Sequence, residues 1–123
     1  MWVVVYGIVA GLLAVAFLGF GGSKLVRPRE VMARSYMGWA AHVSDATFKS
    51  IGAVEVLGAL GLVLPLLTGI APWLSPTAAV GLSVVMGGAA VVHVRRGESP
   101  AAPLIMWVLT WTTAVVGCAA LLT

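Results

Sequence analysis

Charge is scarce in this chain. Only seven basic and four acidic residues occur among 123, or 9% charged, against 61% hydrophobic and a mean hydropathy of +1.09. Soluble domains carry roughly 25% charged residues, and a soluble fold of this length exposes too much of its surface to hide so much apolar area. The remaining solvent is lipid. Cysteine is nearly absent as well. Cys118 stands alone, which excludes an internal disulfide, a C-x-x-C redox pair and a cysteine-rich metal site. A positive leader is also missing: "MWVVVYGIVAGLLAVAFLGFGG" has no basic n-region and its apolar run is too long for a cleavable signal.

What is present is four apolar runs of the length a spanning helix needs, about 20 residues each. They cover residues 2–22, 48–67, 76–93 and 103–122, with Pro76 placed as a first-turn residue. The predicted fold is all-α: one domain over 1–123, an integral membrane four-helix bundle. The first connection holds Lys24, Arg27, Arg29, Arg34 and Lys49 against Glu30 and Asp45, and the third holds Arg95, Arg96 and Glu98. The second, "TGIAPWLSP", carries no charge. The net charge of +3 therefore marks topology and not nucleic acid. The positive-inside rule predicts a multi-pass protein of the cell (inner) membrane, with both basic loops cytoplasmic and both termini outside. Trp2 and Trp73 would then anchor the outer interface. After Pro28, the spacing of Met32, Tyr36, Trp39 and Val43 predicts a short amphipathic helix lying in the membrane interface. Asp45 is the expected N-cap of the second span.

One charge lies outside those loops. Glu55 falls in "FKSIGAVEVLGALGLVLP", about 9 Å deeper than Lys49 at about 1.5 Å per residue. Phe48, Ile51, Gly52, Gly58, Ala59 and Leu62 share its helical face. Half of these are small, as at seams where membrane helices pack closely, so Glu55 is predicted to point into the bundle. A carboxylate at that depth costs at least ~3 kcal/mol unless it pairs, protonates or meets water. Lys24, Lys49, His93 and the Trp107 indole are its candidate partners, and with Glu55 they form the candidate ligand site. Small residues at Gly87–Ala90 could leave room for a ligand or let two helices touch. A Glu–Lys pair that only sets helix register is the competing reading. His42 and Asp45 have no third ligand nearby, so no metal site is expected. Gly7 and Gly11 form a GxxxG match, a pointer to close helix contact within the bundle or between protomers.

The segments "GGSKLVRP" and "FKSIGAVEVLGALGLVLPLLTGIAPWLSPTAAVGLSVVMGGAAVVHVRRGE" together resemble the DoxX-like family of small bacterial membrane proteins. The pattern is carried by Lys24, Lys49, Gly52, Glu55, Gly58, Gly61, Pro65, His93, Arg95, Arg96 and Glu98. The resemblance implies a four-helix transmembrane bundle and, through the wider group, an association with quinone-linked redox complexes. The expected function is a small membrane subunit binding a quinone or another lipid-soluble molecule near Glu55 for a redox partner. It would carry no intrinsic cofactor and would not be a complete enzyme alone. A proton-coupled transporter and a ligand-free scaffold are the alternatives. Partners would be the bilayer and either further copies or a larger membrane complex.

Overall fold

The computed structural model describes residues 2–34, 40–41 and 43–122, the side chain of residue 122 excepted. It contains α1 (Trp2–Val26), α2 (Arg29–Ala33), α3 (Asp45–Thr68), α4 (Leu74–Arg95) and α5 (Ala101–Leu122). Four of these are long and apolar enough to cross a membrane. Tyr36 and Trp39, on which the expected interfacial helix rests, lie outside the described residues, as does His42; α2 covers only Met32 of its four spaced residues, and Val43 lies in a bend.

The long helices run alternately up and down and close a ring: α1 packs on α3, α3 on α4, α4 on α5 and α5 on α1. Tyr6, Ala10, Leu13 and Phe17, at alternating steps of four and three, place one buried stripe of α1 against Ala59, Leu62, Ala79, Leu82, Met86 and Ala114. Elsewhere the long helices expose valine and leucine. In a bundle solvated by lipid these are the outward faces.

Several boundaries differ from the sequence reading by one to four residues, and three of them have a local cause. α1 continues past Gly22 to Val26, because membrane helices tolerate glycine and Ser23 bonds back to the Gly19 carbonyl at 2.6 Å. α4 starts two residues before Pro76, which still falls in the first turn, where its missing N–H costs nothing. The N-cap of α3 is Ser44, not Asp45. Ser44 has the extended backbone a cap requires, and its Oγ accepts from Thr47 N at 3.1 Å. Asp45 is the first helical residue, where its carboxylate complements the helix dipole and accepts from Arg29 Nε at 2.8 Å.

Glycine determines how closely the helices approach. A Cβ on Gly21 would stand 2.7 Å from the Gly52 carbonyl oxygen, and one on Gly52 would stand 2.8 Å from Lys24 Cβ. α1 and α3 therefore touch backbone to backbone near the basic end. At the other end α3 finishes at Gly69, whose φ of 71° suits a left-handed C-cap and whose N–H bonds the Pro65 carbonyl.

Candidate functional site

The Gly21–Gly52 contact positions the central pair. One helical turn beyond each glycine, toward the same seam, stand Lys24 on α1 and Glu55 on α3. Lys24 Nζ lies 2.7 Å from Glu55 Oε1. Both side chains are removed from solvent, Lys24 at 5% exposure and Glu55 at 1%. Lys24 Nζ also reaches the Phe20 carbonyl on its own helix at 3.4 Å. Oε1 itself is buried and accepts no hydrogen bond of good geometry among the described residues. Its compensation is the nearby ammonium charge.

The other basic residue of this seam does different work. Lys49 Nζ donates to the carbonyls of Lys24 (2.6 Å), Leu25 (3.1 Å) and Arg27 (2.8 Å). The last carbonyls of a helix have no internal partner and carry partial negative charge. Lys49 therefore acts as a cap supplied by α3 to the end of α1, and it holds the backbone that carries Lys24. Two helical turns from Glu55 on the same face, Phe48 is fully buried with Met32 and Ala40. That cluster stands between the pair and the basic end of the bundle.

Of the five candidate residues, the structure joins Lys24 and Glu55 directly and ties Lys49 to them through the α1 backbone. The remaining two have other neighbours. His93 is half-buried and its Nδ1 is 2.7 Å from the Ala89 carbonyl of α4. Trp107 packs its indole edge on Gly87 and meets Trp111 edge-on, with ring centroids 6.5 Å apart. The small residues at Gly87 thus accommodate an aromatic ring.

The sequence matches the DoxX-like family over residues 8–121. The chain belongs to the DoxX-like family. The match spans all four long helices, so the Gly52-x-x-Glu55 face and the Lys24 turn are parts of the DoxX-like region itself. No curated protein and no solved structure matches the chain.

A second polar cluster, at the opposite end, escaped the sequence reading. Ser75 Oγ donates to the Leu62 carbonyl at 2.5 Å, so Tyr6 must donate its hydroxyl hydrogen to Ser75 Oγ, also at 2.5 Å. Tyr6 and Ser75 are both fully buried, and the Tyr6 ring fills the space left by Gly117. The network joins α1, α3 and α4 around an apolar core. Its sequence signal was a lone tyrosine in an otherwise apolar span, since a buried phenol needs a partner.

Proposed function

We propose that this DoxX-like protein is a small membrane subunit that binds a quinone or a similar lipid-soluble carbonyl compound at the Lys24–Glu55 pair, in support of a redox partner. The observation that carries this reading is the buried carboxylate oxygen, which has a cation beside it but no well-directed donor. Buried polar atoms are normally hydrogen-bonded, and an exception calls for a reason. An ionisable pair within membrane-spanning helices is by default a functional site. In this reading the quinone carbonyl accepts from the Lys24 ammonium, the partner supplies two electrons and two protons, and the quinol hydroxyl so formed donates to Glu55 Oε1. Entry requires the Met32–Ala40–Phe48 cluster or the α1–α3 seam to open. The same reading places α2 in the membrane interface. The basic loops face the cytoplasm, and the chain assembles with further copies or with a larger complex.

A ligand-free scaffold is the second reading, and the Gly21–Gly52 contact favours it. Helices held so closely leave little room, and the pair would then only set register. Infrared difference spectroscopy of the protein in lipid nanodiscs separates the two. Adding a short-chain quinone should perturb a carboxyl band that is lost in Glu55→Gln. A band that responds to a quaternary amine and not to the quinone would move the assignment to transport. A band indifferent to both would leave the scaffold.

A further inference from the structure

Of the ways out of the Lys24–Glu55 site, α2 closes the one that the long helices leave. Along one face of α3, Phe48, Gly52, Glu55, Ala59 and Leu62 are all buried. The inner neighbours of Glu55 on that face, Ala59 and Leu62, belong to the apolar core. Toward α1 the seam is shut by backbone contact. A Cβ on Gly21 would stand 2.9 Å from Glu55 Cβ and 3.0 Å from Val56, and one on Gly52 would stand 3.4 Å from Leu25. At the basic end the arrangement changes. α1 stops at Val26, and both Leu25 and Val26 are exposed. One turn beyond Gly52 comes Phe48, and it packs on Met32 of α2, with Ala33 at the edge of the same cluster. Met32 and Phe48 are both fully buried. α2 therefore forms part of the layer immediately outside Lys24.

Two residues of α3 hold the two sides of this layer, and they hold them differently. Pro28 separates α1 from α2 with an extended backbone, φ −60° and ψ 142°. On the α1 side the chain is fixed, because Lys49 donates to the Arg27 carbonyl at 2.8 Å. On the α2 side Arg29 reaches across to the start of α3. Its Nε donates to Asp45 at 2.8 Å, one terminal nitrogen donates to the Ala40 carbonyl at 2.9 Å, and the other lies 3.3 Å from Glu30. Asp45 and Lys49 are one turn apart on α3, so they share a face. The Asp45 side chain is 69% exposed, and ion pairs so open to solvent contribute little. Met32 is the only buried residue of α2. Swinging α2 out thus breaks one surface pair, one carbonyl bond and the burial of one methionine. Parting α1 from α3 would instead strand a buried ammonium and a buried carboxylate, which is far more costly. We propose that α2 is a lid on the Lys24–Glu55 site, pivoting at Pro28 and latched by Arg29 to Asp45 and the Ala40 carbonyl, so that the site opens toward the basic end. This rests on the reading of the pair as a binding site and adds its entry route.

Oxidation of the full-length protein by hydrogen peroxide in lipid nanodiscs, read residue by residue by peptide mass spectrometry, tests the lid. It uses no quinone, so the lid and the quinone reading can fail separately. Met32 becomes a sulfoxide when α2 swings out, and Met86 in the bundle core is the internal reference. Arg29→Gln should speed oxidation of Met32 about fivefold, the scale of one exposed pair, and leave Met86 unchanged. Asp45→Asn should act in the same direction with a smaller factor, and it stands in should Arg29→Gln not fold. Arg96→Gln removes the 3.3 Å pair with Glu98 and should alter neither rate. A water-soluble carbodiimide should modify Glu55 faster in whichever latch variant quickens Met32. Unchanged oxidation of Met32, equal acceleration at Met86, or an equal effect from Arg96→Gln would overturn the proposal. So would a Glu55 modification rate that stays constant while Met32 quickens, because α2 would then open without uncovering the pair.

Discussion

Replacing Lys24 with methionine tests the central pair most directly. The substitution leaves an unbranched side chain one heavy atom shorter and removes the ammonium, so most of the packing along the seam is preserved while the charge and its 3.4 Å contact to the Phe20 carbonyl are lost. What remains is Glu55, 1% exposed, with its 2.7 Å counter-ion gone. Breaking one side of a buried pair costs about 3–5 kcal/mol, whereas replacing both sides with apolar groups of similar volume is often neutral. The expected pattern is therefore non-additive. Lys24→Met loses about 3 kcal/mol or more, Glu55→Leu destabilises by removing the ammonium's counter-charge, and the double variant recovers most of the loss. Equilibrium unfolding in mixed micelles, run as a double-mutant cycle, reads the coupling directly. A Lys24→Met protein within about 0.5 kcal/mol of wild type would refute the reasoning, because it would mean that Glu55 finds compensation without Lys24.

Gly52→Ala should destabilise by about 1–3 kcal/mol, because the new methyl meets Lys24 Cβ and the Gly21 carbonyl below 3 Å. Gly7→Ala, where nothing lies within 4 Å, should stay within about 0.5 kcal/mol of wild type in the same melts. Ser75→Ala strands the Tyr6 hydroxyl and removes the added bond to the Leu62 carbonyl, for about 1–3 kcal/mol. Adding Tyr6→Phe should return part of that loss. Lys49→Met removes three carbonyl contacts at the end of α1. Hydrogen exchange at the amides near Arg27 should then accelerate while the centre of α1 stays protected.

The spans were legible because lipid imposes a simple rule: a helix that crosses it must be apolar over its whole length. The inward direction of Glu55 was legible for a related reason, since Gly52 and Ala59 on its own face marked the seam. The choice of Lys24 over Lys49, His93 and Trp107 was not legible. Sequence gives the depth of each residue in the membrane, but the rotation of one helix about another depends on contacts such as Gly21 against Gly52. Those contacts also turn Lys49 toward the carbonyls of α1. Ser44 and Asp45 both carry short acceptor side chains, and only the extended backbone at Ser44 separates the cap from the first-turn residue. Ser75 was read as part of an uncharged connection, because nothing in its neighbourhood shows that Tyr6, far away in the chain, needs an acceptor.

The Lys24–Glu55 pair lies entirely between α1 and α3, and that has a consequence for biogenesis. Membrane proteins are inserted as they are synthesised, and the electrostatic demand of this one arises and is met within its first 55 residues. By the time Glu55 leaves the ribosome, the helix that neutralises it has already been made. α1 and α3 can enter the bilayer as one hairpin, with Lys49 fastening its turn, while α4 and α5 bring no acidic residue with them and need no earlier helix to shield one. A chain terminated near Gly69 and released should therefore integrate both of its helices, and losing Lys24 should impair the second more than the first.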